Sequence, residues 1–127
     1  MSKKNNPTDS EMEILQLLWQ NGSCTVREVH EILSDKKEVG YTTTLKIMQI
    51  MADKQLVLRD TSSRTHIYTA AIDQKSTQRN MLSNFISNTF GGSASSLVLQ
   101  ALGNHKANAD ELQEIKDLIA EIEKTQS

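Results

Sequence analysis

The chain has 127 residues, a formal net charge of −2 and a single cysteine, Cys24. This length accommodates one domain, or a unit of about 70 residues joined to a second element. One cysteine excludes a disulfide framework and a cysteine-cluster metal site, and no apolar run approaches the roughly 18 residues of a membrane span. We therefore expect a cytoplasmic protein. The aromatic content of 4% indicates a modest, mainly aliphatic core.

Two capping boxes predict where the first two helices begin. Thr8 is followed three residues later by Glu11, and Thr25 by Glu28, so that each pair can satisfy the free amides of a helix start. Gly22 is a stop signal for the first helix, and the second is predicted to end at about residue 33. The apolar positions at helical spacing are Met12, Leu15, Leu18 and Trp19 in the first helix and Val26, Val29, Ile32 and Leu33 in the second.

A third helix, predicted over residues 40–54, has two different faces. Its apolar face consists of Thr44, Ile47, Met48 and Met51. Its opposite face carries side chains that reach phosphates and base edges, namely Thr42, Thr43, Lys46 and Gln49. No acid occurs between Gly40 and Ala52, as expected for a face that approaches a polyanion. Taken alone, the segment is also consistent with an ordinary solvated helix whose outer face is rich in threonine.

Two strands are predicted next, over residues 56–60 and 65–69, with a polar turn at 61–64 between them. Three short helices followed by a hairpin are the element order of a winged helix-turn-helix. We expect Lys46 to contact guanine, Gln49 to contact adenine, and Arg64 at the wing tip to contact phosphate or the minor groove. The full set of predicted DNA-binding residues is Tyr41, Thr42, Thr43, Lys46, Gln49, Lys54, Arg59 and Arg64.

Alternatives remain open for three of these residues. Tyr41 either donates to a phosphate or packs against Leu45, and Lys54 and Arg59 either contact phosphates or only solvate the surface. Residues 1–70 hold nine basic and nine acidic side chains. Because this half is neutral, DNA binding has to depend on the local placement of a few cations, which favours a sequence-specific reader over a coating protein.

The second half is predicted to be helical, over 73–90, 96–102 and a last helix that Asn108 caps with Glu111. Helices this short do not easily close a core of their own, so we expect their apolar stripes to meet in a two-fold dimer. The alternative is that they fold back onto the first half. The predicted interface residues are Met81, Phe85, Leu97, Leu112, Ile115, Leu118, Ile119 and Ile122.

The predicted fold class is mainly α with a small β-wing: a winged-helix DNA-binding domain over residues 1–71 and a helical dimerisation domain over residues 72–127. His30, His66 and His105 lack the spacing of metal ligands, so no metal or cofactor is expected. An enzyme is disfavoured because the sequence has no phosphate loop, catalytic triad or opposed acid pair. The alternatives are a ligand-sensing winged-helix regulator and a winged-helix module that binds protein.

Specific motifs occur in both halves of the chain. The helix over 10–19 has a Glu-x-Glu-hydrophobic opening and a terminal Trp, and residues 96–99 read Ser-Leu-Val-Leu. With residues 41–44, 54–57 and 64–68, these motifs resemble the first helix, dimerisation-domain motif, recognition helix, helix exit and wing strand of the penicillinase-repressor family, the bacterial regulators of β-lactamase and methicillin-resistance operons. The resemblance implies a homodimeric repressor on an inverted-repeat operator of double-stranded DNA, with a membrane-bound sensor metalloprotease as a partner that leads to its cleavage.

The chain departs from the family pattern at two places. Gln55 stands where the family usually has Gly. The family is cut at an Asn-Phe bond just after its Ser-Leu-Val-Leu motif, and the matching positions here are Gln100 and Ala101. We therefore take Gln100 and Ala101 as the candidate cleavage site, and expect either a protease of altered specificity or loss of cleavage in favour of another signal.

Overall fold

A computed structural model describes residues 6–104 and 108–126; His105, one of the three histidines of the sequence, lies outside the described residues. In chain order the elements are α1 (Asp9–Asn21), β1 (Cys24–Thr25), α2 (Val26–Lys36), α3 (Tyr41–Asp53), β2 (Val57–Asp60), β3 (Ile67–Ala70), α4 (Gln74–Phe90), α5 (Ala94–Asn104) and α6 (Ala109–Gln126). The predicted class, mainly α with a small β-wing, is confirmed. The chain forms two compact units, an N-terminal unit ending at Met81 and a C-terminal unit beginning at Leu82.

Both predicted capping boxes are present. The N–H of Glu11 donates to Thr8 Oγ1 over 3.2 Å and the N–H of Thr8 donates to Glu11 Oε1 over 2.9 Å. The corresponding distances for Thr25 and Glu28 are 3.1 and 2.8 Å. Gly22 ends α1 with a φ of 77°, as predicted. The predicted end of α2 was too early, because this helix continues to Lys36.

The core of the N-terminal unit lies between α1, α2, α3 and the sheet. On α1 it takes a broader face than the sequence pattern indicated, because Ile14 and Leu17 are buried while Met12 and Trp19 are only partly buried. The Trp19 indole Nε1–H donates to the carbonyl of Ile72 over 3.2 Å, so this ring lies at the edge of the core. The buried apolar residues are Ile14, Leu15, Leu17, Leu18, Cys24, Val26, Val29, Leu33, Met48, Met51, Leu56, Val57 and Tyr68.

The sheet has three antiparallel strands in the order β1-β3-β2. The sequence pattern missed β1, because a two-residue strand carries no detectable alternation. The predicted wing strands were placed one or two residues early, and the connecting loop covers residues 61–66. Tyr68 pairs with Cys24 on one side and Arg59 on the other. Because directly paired residues share a face, Arg59 lies beside the buried Tyr68 ring.

The end of α3 has a residue in the left-handed region. Gln55 has a φ of 65°, and its N–H donates to the carbonyl of Ala52 over 3.1 Å. The N–H of Leu56 donates to the carbonyl of Met51 over 2.9 Å, and both side chains are fully buried. These two bonds form a Schellman motif, which usually has glycine at the left-handed position.

In the C-terminal unit, α5 runs from Ala94 to Asn104, two residues longer at each end than the predicted 96–102, because Gly103 continues the helix instead of ending it. The predicted cap of α6 is present, because the N–H of Glu111 donates to Asn108 Oδ1 over 2.8 Å. The rings of Phe85 and Phe90 pack edge to face with centroids 5.6 Å apart. Most large apolar side chains of this unit are exposed in the single chain, namely Leu82, Phe85, Val98, Leu99, Leu102, Leu112, Leu118, Ile119 and Ile122.

Candidate nucleic-acid interface

The outward face of α3 is the polar face that the sequence predicted. Thr44, Met48 and Met51 are buried against the core and fix the rotation of the helix about its axis. Thr44 Oγ1 donates to the carbonyl of Gly40 and lies 3.4 Å from His30 Nδ1 on α2, which connects the first turn of α3 to α2. The side chains that this rotation leaves exposed are Tyr41, Thr42, Thr43, Lys46, Gln49, Ile50 and Asp53.

The start of α3 has no side-chain cap. Gly40 occupies the N-cap position with extended backbone and has no side chain to accept a hydrogen bond. The first amides of α1 and α2, by contrast, are satisfied by their capping boxes. The free N–H groups at the start of α3, together with the helix dipole, therefore favour an anion beside Thr42 and Thr43.

A cleft of about 440 Å³ lies between the first turn of α2, one flank of α3 and the wing. Arg27, Arg59 and Arg64 all line it, and we refer to it as the arginine cleft. No carboxylate lines it, and none of the three guanidiniums has a carboxylate within 4 Å among the residues that the structure describes. The remaining lining residues are Thr25, Val26, Tyr41, Leu45, Gln49, Thr65, His66 and Tyr68. Three unpaired cations in one acid-free cleft form a site for an anion such as a phosphodiester.

Local contacts order the walls of the arginine cleft. The Tyr41 ring packs edge to face against His30, with centroids 5.5 Å apart. On the wing, the N–H of Ser62 donates to Asp60 Oδ1 over 2.9 Å and Ser63 Oγ donates to the carbonyl of Thr65 over 2.8 Å. The hydrogen bond from the Ser62 backbone lowers the pKa of Asp60, so this carboxylate stays ionised while it shapes the loop before Arg64.

The structure brings most of the predicted DNA-binding residues onto one surface. Tyr41, Gln49, Arg59 and Arg64 line the arginine cleft, and the exposed Thr42, Thr43 and Lys46 continue along α3. Arg27 lies on the same cleft and was missing from the predicted set. It stands in the first turn of α2, two residues after the N-cap Thr25, and reaches the cleft only because this turn packs next to the wing, so no local sequence signal indicated it.

The structure places Lys54 elsewhere. Its Nζ lies 2.7 Å from Oε1 of the buried Glu11, and Lys54 does not line the arginine cleft. This ion pair is partly buried, so Lys54 does more than solvate the surface. Lys54 instead joins the end of α3 to the start of α1, and we leave it out of the interface proposed below.

The described residues give little support for a reactive cysteine, a metal site or a membrane-spanning helix. Cys24 is buried, and burial, together with the negative charge of Glu28, raises the pKa of its thiol. A lowered thiol pKa, which a cysteine just before a helix start can have, is therefore not found here. In residues 6–104 and 108–126 no three His, Cys, Asp or Glu side chains are grouped to hold a metal ion. No helix in these ranges is long and apolar enough to cross a membrane.

Comparison with known proteins identifies the family. A family model described as "Penicillinase repressor" matches residues 7–121. The chain is 24% identical over 115 residues to a penicillinase repressor of Staphylococcus aureus, covering 91% of each chain. It is 38% identical over 69 residues to the transcriptional regulator BlaI of Mycobacterium tuberculosis, covering 54% of this chain and 50% of that protein. A penicillinase repressor of Bacillus licheniformis is 23% identical over 121 residues, covering 95% of this chain and 94% of that one. The chain belongs to the penicillinase repressor family of transcriptional regulators.

Proposed function

We propose that this chain is a transcriptional repressor that binds an inverted-repeat operator as a homodimer. The observation that carries the proposal is the position of the arginine cleft directly beside the exposed face of α3. A helix that presents hydroxyl, amide and ammonium groups can read base edges in the major groove. The unpaired guanidiniums of the adjacent arginine cleft bind the phosphate backbone. These contacts fix how deeply and in which register the helix lies in the groove.

Each part of this surface has a role in the proposal. Lys46 donates to a guanine and Gln49 pairs with an adenine, while the hydroxyls of Thr42 and Thr43 donate to base edges or phosphate. Arg27, Arg59 and Arg64 bind phosphates along the flank of the groove, and Tyr41, which lines the same cleft, contributes its hydroxyl.

The proposed dimer uses the apolar stripes of the C-terminal unit. On α6, Leu112, Ile119 and Ile122 lie on one side of the helix and are exposed in the single chain. Exposed apolar side chains in a continuous stripe favour a protein partner, and a two-fold dimer buries identical stripes against each other. Two protomers place two recognition helices on two half-sites, which gives the binding energy of both.

Inactivation by a sensor metalloprotease at the bond between Gln100 and Ala101 is the switch that the family membership suggests. Both residues are exposed and lie within α5, so the helix has to unwind locally before a protease can bind the chain. A cut there separates α6 from the rest of the chain and removes its share of the dimer interface. Gly103 is helical, and a Cβ at this position would meet no atom within 4 Å, so Gly103→Ala should stabilise α5 and slow the cut several-fold. Incubation of the purified chain with induced cell extract, followed by mass measurement of the fragments, tests the cleavage. A chain that stays intact but still dissociates from DNA on induction would contradict inactivation by proteolysis.

The proposed function is tested by selection of DNA from a random duplex library with the purified full chain. The proposal expects enrichment of an inverted repeat whose half-site centres are about one helical turn, roughly 10 base pairs, apart. A second round at higher salt should retain this sequence, because the base contacts add to the salt-sensitive phosphate term. Failure to enrich any sequence would contradict the proposal and favour a winged-helix module that binds protein.

A further inference from the structure

Ile50 is an apolar residue on the outward face of α3 that does not contribute to the core. Ile50 is 40% exposed. It belongs neither to the buried cluster nor to the partly buried residues that pack against that cluster. The other aliphatic side chains of α3 do pack there, including the partly buried Leu45 and Ile47. Core packing therefore does not account for an isoleucine at position 50.

The position of Ile50 on α3 places it beside residues that we assign to DNA reading. At 100° per residue, Ile50 lies about 40° from Lys46 and about 20° from Thr43 around the helix axis, and about 160° from the buried Met48. Lys46 and Ile50 are one turn apart, about 6 Å along the axis. If Lys46 reaches a base edge, the side chain of Ile50 faces the same groove about two base-pair steps further on, since one step is about 3.4 Å.

The chemistry of the major groove leaves one partner for an aliphatic side chain at this place. Guanine, cytosine and adenine carry no methyl group there, whereas thymine presents its C5 methyl group. An isoleucine beside a polar edge leaves that edge without a partner, but against a thymine methyl it removes apolar surface of both groups from water. We propose that Ile50 is a specificity residue that recognises a thymine C5 methyl group in each half-site, an inference that rests on the proposed function.

Removal of the methyl group from DNA tests this contact without any change to the protein. The probe is the duplex selected by the full chain, in which each thymine of one half-site is replaced in turn by deoxyuridine, which keeps the pairing and lacks only the methyl group. We expect one replacement to weaken binding of the parent about fourfold, the ratio that corresponds to burial of one methyl-sized group. This thymine should lie about two base pairs from the position whose preference is lost in Lys46→Ala.

The Ile50→Ala variant then assigns the contact to its residue. It should bind the thymine and deoxyuridine duplexes equally, so that the fourfold ratio falls to about one, while Ile50→Val keeps most of it. Leu58→Ala is the matched control, because Leu58 is an exposed aliphatic residue on the wing strand β2 that does not lie on α3. This control should retain the fourfold ratio.

The outcomes separate the two proposals. A parent that selects a duplex but tolerates deoxyuridine at every thymine overturns the role of Ile50 and leaves the proposed repressor function standing. An Ile50→Ala variant that keeps the fourfold ratio also overturns it, since another residue would then read the methyl group. A parent that selects no sequence overturns the proposed function together with this inference.

Discussion

The ammonium of Lys54 and the carboxylate of Glu11 form an ion pair that connects the end of α3 to the beginning of α1. The Nζ–Oε1 distance is 2.7 Å, and the side chains are 26% and 5% exposed. The same Oε1 atom of Glu11 accepts the N–H of Thr8 in the capping box of α1. One buried carboxylate oxygen therefore caps α1 and holds the last turn of α3 at the same time.

Removal of Lys54 should destabilise the protein more than removal of a comparable exposed lysine. Lys54→Ala leaves the Glu11 carboxylate buried with only a backbone donor, which should lower the free energy of unfolding by about 2 kcal/mol. Lys37→Ala is the control, because Lys37 forms a pair of 2.6 Å with Glu13 in which both side chains are 44% exposed. That change should cost less than about 1 kcal/mol. Urea unfolding at one fixed protein concentration measures both, and equal losses would show that burial does not distinguish the two pairs.

Gln55 provides a second prediction at the same end of α3. A left-handed conformation costs a non-glycine residue such as Gln55 about 1–2 kcal/mol, and a glycine there avoids this cost. Part of the stabilisation is offset because glycine makes the unfolded chain more flexible. Gln55→Gly should therefore raise the free energy of unfolding by about 0.5–1 kcal/mol. Gly22→Ala is the control of opposite sign: Gly22 has a φ of 77° and a ψ of −156°, so the alanine should destabilise by at least about 1 kcal/mol. A destabilised Gln55→Gly would mean that the glutamine side chain contributes more than its backbone costs.

The local features of this fold could be predicted from the sequence, because they depend on residues close together in the chain. The Thr8–Glu11 and Thr25–Glu28 boxes each involve four consecutive residues, and the apolar face of α3 follows from helical spacing alone. The family resemblance also marks position 55 as a glycine position, in agreement with its left-handed φ. These signals are local, and they were sufficient for the order of the helices and the two wing strands and for the fold class, but not for β1.

The features that depend on tertiary contacts were not predictable. Lys54 and Glu11 are 43 positions apart, so nothing in the neighbourhood of either residue indicates the pair. The two-residue strand β1 exists because β3 lies beside it. Arg27 belongs to the arginine cleft only because α2 brings its first turn next to the wing. For the same reason the sequence could not separate Lys54 from the cations that face the cleft.

If the arginine cleft binds phosphates, removal of one of its arginines should reduce the salt dependence of DNA binding. Arg27→Ala and Arg64→Ala should each weaken binding to the selected duplex and to random DNA alike, because phosphate contacts carry no sequence information. The slope of log affinity against log salt should fall by about 0.9 for each phosphate that the variant no longer neutralises, counted once per protomer. Lys36→Ala, which removes the same charge from an exposed position at the end of α2, is the control. An Arg27→Ala slope equal to that of the control would exclude Arg27 from the interface.

The proposed dimer predicts a dependence of DNA affinity on one face of α6. Ile119 is 50% exposed in the single chain, and Ile119→Asp would bury a carboxylate without a partner if this stripe forms the interface. The mass by light scattering should fall towards 14.2 kDa and operator affinity should collapse, while helical content is retained. Ala120→Asp is the control, because position 120 is exposed and about 100° away from position 119 around the helix. A parent that is monomeric at micromolar concentration would contradict the dimer.

The most direct test of the account is the base preference of Lys46→Ala beside that of the parent, measured at every position of the selected duplex. Lys46 lies at the centre of the exposed face of α3 and takes no part in the core. Its loss should leave folding intact and reduce discrimination at one position per half-site by about 1–3 kcal/mol, with the other positions unchanged. Lys36→Ala should show the profile of the parent. A Lys46→Ala profile identical to that of the parent would contradict the assignment of α3 as the reading surface.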